Sequence, residues 1–318
     1  MVEHWVDAAF GLVQGLVLLA LSPGLLGLIR WVKARAQGRK RGGARLLQPY
    51  YDLHRLMRQR SVRAATSSAV FAAVPILLVA CYGTLAFAVP LFGAPPLLDI
   101  DFITLVYLLA LARFALALAG LDAGAPFGGL GSSRVMFLNL PTEVALLLVG
   151  AALSLRWNTL SLTDLINLQS GCGATLLLQI DVLLTATALS IILALEAGRI
   201  PIDNPATHLE LTIGQKAVTL EYAGRDLALI QWGQAARLTV LLALLVALFI
   251  RPGLSSLPSI GPGLSLLSVA LLALLLALWE AWRPQLRLRK IMRPGVVSAV
   301  FSLSAILYIV VTKPGVYQ

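Results

Sequence analysis

The stretch Phe102-Ile103-Thr104-Leu105-Val106-Tyr107-Leu108-Leu109-Ala110-Leu111-Ala112-Arg113-Phe114-Ala115-Leu116-Ala117-Leu118-Ala119-Gly120-Leu121 carries a single charge, Arg113, in an otherwise apolar run. It does not alternate apolar and polar residues, so it does not read as a barrel strand. Its length matches the roughly 20 residues a helix needs to cross the hydrocarbon core. A helix satisfies its own backbone hydrogen bonds, which makes it the default spanning element in lipid.

Similar runs lie near 8–32, 69–93, 137–155, 174–197, 236–250, 264–282 and 296–312. The chain of 318 residues is 58% hydrophobic and 13% charged, with mean hydropathy +0.86. A soluble fold cannot bury so much apolar surface. The expectation is an all-α, polytopic membrane protein of about eight transmembrane helices, one domain over 1–318, with amphipathic loop helices. Met1 to Asp7 carries Glu3 and Asp7 rather than Lys or Arg, so the first run reads as a retained helix and not a cleavable signal. Ser22-Pro23-Gly24 is expected to kink or interrupt it. The short run 236–250 is extended at its start by Ala235 to Arg237.

Charge predicts orientation. Lys33, Arg35, Arg39, Lys40, Arg41, Arg45, Arg55, Arg58, Arg60 and Arg63 follow the first run. Arg283, Arg287, Arg289, Lys290 and Arg293 follow the seventh, and Arg134, Arg199, Lys216, Arg225 and Arg237 fall on the same side. Arg156, Arg251 and Lys313 remain on the other. The positive-inside rule then puts both termini in the periplasm, in the inner (cytoplasmic) membrane. The net charge of +10 is a topology signal and does not point to nucleic acid, for which no motif is present. Cys81, Cys172, His4, His54 and His208 have no metal-ligand spacing. The chain is expected to bind no metal and no cofactor of its own.

Loops near 33–68, 121–136, 198–235 and 283–295 form the expected cytoplasmic docking face. In the first, the basic turn with Arg39 and Arg41 leads to Gln48, Tyr50, Asp52, Leu53, Leu56 and Met57, spaced for an amphipathic interfacial helix. The second, 120–134 with Asp122 and Arg134, holds five Gly and one Pro and reads as irregular backbone. The third holds Arg199, Asp203, His208, Glu210, Glu221, Arg225 and Asp226; Thr207 and Glu210 have capping-box spacing. The docking candidates are Arg39, Arg41, Gln48, Tyr50, Asp52, Asp122, Arg134, Arg199, Asp203, His208, Arg225 and Asp226.

Ionisable residues inside spans are costly unless paired or wet. Arg113, Glu143, Asp181, Glu196 and Glu280 qualify, with Asp181 placed about a third of the way in from the outer end. Glu143, Asp181 and Glu196, with Glu210 and Glu221 beyond them, are candidates for an ion path. The competing reading is a structural ion pair, such as Arg113 with Glu143.

Three motifs carry a resemblance. They are Leu47-Gln48-Pro49-Tyr50-Tyr51-Asp52-Leu53, then Ala119-Gly120-Leu121-Asp122-Ala123-Gly124-Ala125-Pro126-Phe127, and the segments 196–211 and 220–227. The chain resembles the respiratory complex I subunit 1 family, in the hydrogenase branch that includes formate hydrogenlyase subunit 4 and the membrane subunit of energy-converting hydrogenases. That resemblance implies a non-catalytic subunit anchoring hydrophilic hydrogenase-like large and small subunits beside antiporter-like membrane subunits. It implies iron–sulfur clusters and nickel–iron, or quinone, in those partners, with coupled proton or sodium translocation. The sequence departs from the family pattern at Arg41-Gly42-Gly43, Val135 and Gln215-Lys216. The departures at Val135 and Gln215-Lys216 favour an anchor without pumping as the alternative. A quinone-chamber subunit of a NADH:quinone oxidoreductase and a stand-alone transporter are the other readings, and no internal repeat supports the last.

Overall fold

The computed structural model describes residues 2–38, 45–64, 67–92, 95–196, 215–251, 261–282 and 292–312. The described residues are built of helices: α1 Val2–Ala36, α2 Gln48–Arg58, α3 Ala69–Ala88, α4 Phe102–Asp122, α5 Pro126–Trp157, α6 Leu162–Gly171, α7 Ile180–Glu196, α8 Gln215–Thr219, α9 Gly224–Leu245, α10 Gly261–Trp282 and α11 Met292–Thr312. Seven of them are long and apolar enough to cross a membrane. The remaining apolar run, the fifth in the chain at 174–197, gives a 3-10 turn, Gly173–Leu178, and α7 of 17 residues. At 1.5 Å per residue α7 rises only about 26 Å, a little less than the roughly 30 Å hydrocarbon core.

The centre of the bundle is α9, continued by a π turn, Val246–Ile250. Every residue from Ala235 to Phe249 is buried. Helices α1, α3, α7 and α10 pack around it. A helix apolar on all sides is one enclosed on all sides. Outward faces carry large exposed apolar residues such as Tyr107, Phe114, Leu271 and Val300.

Four expectations are corrected. The helix expected to start at Ala235 begins at Gly224, so Arg237 lies well inside it and not at its start. Helix α1 runs unbroken through Pro23. Proline cannot donate to the carbonyl four residues back, and that oxygen, on Leu19, instead accepts from Ser22 Oγ at 2.8 Å and Trp232 Nε1 at 3.2 Å. The glycine-rich segment 120–134 is helical except at 123–125, where Gly124 takes φ +67°. Its other glycines let helices touch: a Cβ on Gly128 would strike the carbonyl oxygen of Gly120. Asp181 stands in the first turn of α7, because the 3-10 turn takes up the beginning of that run.

Candidate functional site

Four ionisable side chains from four different helices meet inside the bundle. Arg113 sits on α4 about 13 Å along the axis from Asp122. Its Nη2 lies 2.9 Å from Glu143 Oε1 on α5, and its Nη1 bonds Glu196 Oε1 at the end of α7. Arg237 Nη1 of α9 stands 3.8 Å from the other Glu196 oxygen. Arg113, Glu196 and Arg237 are almost wholly buried, while the Glu143 side chain keeps 36% of its exposure. The two arginines and two glutamates balance in charge, which is the condition for keeping ions out of water.

Within the described residues the group is not saturated: Arg113 Nε, Arg237 Nε and Glu196 Oε2 are buried there without a hydrogen-bond partner. A guanidinium shared by two carboxylates can shift its bonding toward either as their charge changes. Glu143 also lines a groove between α4 and α5 with Tyr107, Phe114 and Met136, so the group opens sideways toward the membrane.

Asp181 belongs elsewhere. It pairs with Arg156 of α5 at the opposite end of α7, and Arg156 also bonds Gln179. The structure thus brings Glu143 and Glu196 together on Arg113 and leaves Asp181 apart. The sequence pattern does not mark Arg237 or Arg156 as members of buried pairs. A lone cation near the edge of an apolar run is the available signal for each.

At the C-terminal end of α4, three surface segments interlock. Asp122 accepts from Ser68 N at 2.8 Å and Ser68 Oγ at 2.9 Å, and Ser68 Oγ in turn caps α3 by accepting from Val70 N. Arg63 grips Asp226 through Nε at 2.9 Å and Nη2 at 3.3 Å, and that bond pushes the guanidinium pKa further up. Arg225 Nε donates to the Met57 carbonyl. Gly224, at φ +56°, lets the chain pass against the Arg60 carbonyl. Tyr222 stacks on Phe71 with centroids 4.0 Å apart and donates its hydroxyl to the Phe71 carbonyl at 3.0 Å. Burial, helped by Asp226, pushes the Tyr222 phenol upward.

Of the other site candidates, Gln48 donates to Asp52 on α2. Tyr50 donates to the Ala20 carbonyl of α1 at 2.6 Å, beside Gly24. Arg134 lies in α5 and Glu221 just before α9, half-buried. Arg39, Arg41, Arg199, Asp203, His208 and Glu210 lie outside the described residues. No group of three or more His, Cys, Asp or Glu that could hold a metal stands together among the described residues.

Known proteins resemble this chain in sequence and in fold. The NADH dehydrogenase family pattern matches residues 9–312. Hydrogenase-4 component C of Escherichia coli (strain K12) is 36% identical over 270 residues, covering 84% of this chain and 83% of that protein. Formate hydrogenlyase subunit 4 of the same organism is 32% identical over 315 residues, covering 96% and 98%. Among solved structures, a chain of the membrane-bound sulfane sulfur reductase, an archaeal respiratory membrane complex, shares the fold at TM-score 0.76 and 19% identity, over 95% of this chain and 99% of that one. On the strength of a match that runs almost end to end, this chain belongs to the NADH dehydrogenase subunit 1 family.

Proposed function

We propose that this chain is a membrane subunit of a complex-I-like, hydrogenase-type oxidoreductase. It holds hydrophilic hydrogenase-like large and small subunits at the face formed by α2, the 59–63 stretch and the start of α9. Iron–sulfur clusters and the nickel–iron or quinone chemistry reside in those partners. Antiporter-like membrane subunits pack laterally, at the groove through which Glu143 opens to the membrane. The termini lie in the periplasm, and a periplasm-active reporter fused after Gln318 tests that placement.

The buried Arg113–Glu143–Glu196–Arg237 group carries the reading. A bilayer anchor needs no ionised cluster at its centre, where each unpaired charge costs several kcal/mol. A shared guanidinium between two carboxylates supplies a proton or cation relay: a charge change at Glu196 redistributes Arg113, and Glu143 senses it. The hydrogenase-4 and formate hydrogenlyase relatives support the setting. Glu143→Gln and Glu196→Gln complexes should assemble and lose proton or sodium movement in vesicles while electron transfer continues. Unchanged ion movement in both leaves the anchor-only reading, which Val135 and Lys216 favour.

A further inference from the structure

Helices α10 and α11 follow each other in sequence yet share no extensive contact. Helix α10 leans on α1 and α9, whereas α11 leans on α5 and α7. Between them runs a groove of about 780 Å³, floored by α7 and α9. Its sides are apolar: Leu193 and Ala194 of α7, Leu242 and Leu245 of α9, Leu275 and Leu276 of α10. The character changes where α10 ends and α11 begins. There Trp279, Arg293 and Pro294 form the lining. Arg293 is exposed, and among the described residues it forms no ion pair. Arg283, Arg287, Arg289 and Lys290 lie in the sequence joining the two helices.

An apolar slot with a cation and an indole at one end matches an amphiphile with an anionic head. The leucine-lined slot suits an extended acyl chain. A guanidinium binds phosphate through paired charge-assisted hydrogen bonds. Basic pockets between helices are a known means of holding anionic head groups, and tryptophan favours the same interfacial level.

We propose that this groove is a phospholipid site: one acyl chain lies between α10 and α11, and its anionic head group accepts hydrogen bonds from Arg293. The lipid completes the packing that the two helices leave open, and so joins the α5–α7–α11 side of the bundle to the α1–α9–α10 side.

The test uses the assembled complex in vesicles of equal phosphatidylglycerol and phosphatidylcholine, extracted in mild detergent, with retained lipid weighed by native mass spectrometry. The wild-type complex should retain phosphatidylglycerol in preference. Arg293→Gln should lower the phosphatidylglycerol-to-phosphatidylcholine ratio by roughly tenfold, the size of one lost hydrogen bond to a charged group. Arg293→Lys should fall between. Ser190→Phe, which fills the groove, should remove the retained lipid of either kind. An unchanged ratio in Arg293→Gln overturns the proposal, as does a photocrosslinker at Leu275 that captures another subunit in place of lipid. Arg293 is exposed, so its variant decides the matter even where Ser190→Phe does not assemble.

Discussion

Arg113 and Glu196 lie 83 positions apart in the chain and form an ion pair with both side chains almost completely buried. Bulk solvent reaches almost none of either side chain. Among the described residues, Arg113→Met therefore leaves Glu196 with Arg237, at 3.8 Å. Breaking one partner of such a pair costs about 3–5 kcal/mol. The double variant Arg113→Met/Glu196→Leu should recover part of that loss. A double-mutant cycle on thermal unfolding in detergent measures the coupling, and simple additivity of the two single variants would contradict the pairing.

Two neighbouring glycines of α5 should respond in opposite ways. A methyl on Gly128 meets the Gly120 carbonyl of α4, and backbone cannot step aside cheaply. Gly128→Ala should cost about 1–3 kcal/mol, as overpacked sites do. A methyl on Gly129 meets nothing within 4 Å. Gly129→Ala should stabilise the helix by about 0.5–1 kcal/mol. Unfolding midpoints of the two variants, compared side by side, check the crossing of α4 and α5.

Tyr222 supplies a pH signature. Burial and Asp226 raise its phenol above the ordinary value of 10.0, so the folded chain holds the proton more tightly than the unfolded one. Its contribution to stability is whole below that value and is lost as pH climbs past it. Tyr222→Phe removes the bond to the Phe71 carbonyl, about 1 kcal/mol at neutral pH. The gap between wild type and variant should shrink as pH rises above 10. A gap that stays constant from pH 8 to 11 would show that the phenol titrates normally.

The interlocked surface segments should matter more for partners than for folding. The Arg63 side chain is 43% exposed, so Arg63→Ala should change stability by about 1 kcal/mol or less. Arg225 is exposed on the same face. Arg225→Glu should leave membrane insertion intact and sharply reduce the soluble subunits that co-purify. Co-purification at the wild-type ratio would mean that the face is not the dock.

The membrane class and most of the spans were legible in the sequence, because a bilayer imposes one length and one polarity on any helix that crosses it. Runs such as 102–121 and 264–282 obey that rule with no reference to their neighbours. The surface segments could be picked out for the same reason: Gln48 to Met57 and Glu221 to Asp226 break the apolar rule. The sequence also narrowed the buried acids to a few, since an acid in an apolar run is rare.

Partnership was decided by tertiary structure. Nothing in the local pattern says that Arg113 faces Glu196, that Arg237 joins them, or that Asp181 turns instead to Arg156 at the far end of α7. Those pairings depend on helix rotation and on crossings as close as Gly120 with Gly128. In lipid, an apolar helix has no wet side to reveal its orientation, so periodicity is silent. Whether the glycines of 120–134 loosen the backbone or draw two helices together is likewise settled only by what lies opposite them. The sequence determined that Arg113, Asp181 and Glu196 lie inside apolar spans; only the packed bundle determined which charges neutralise one another.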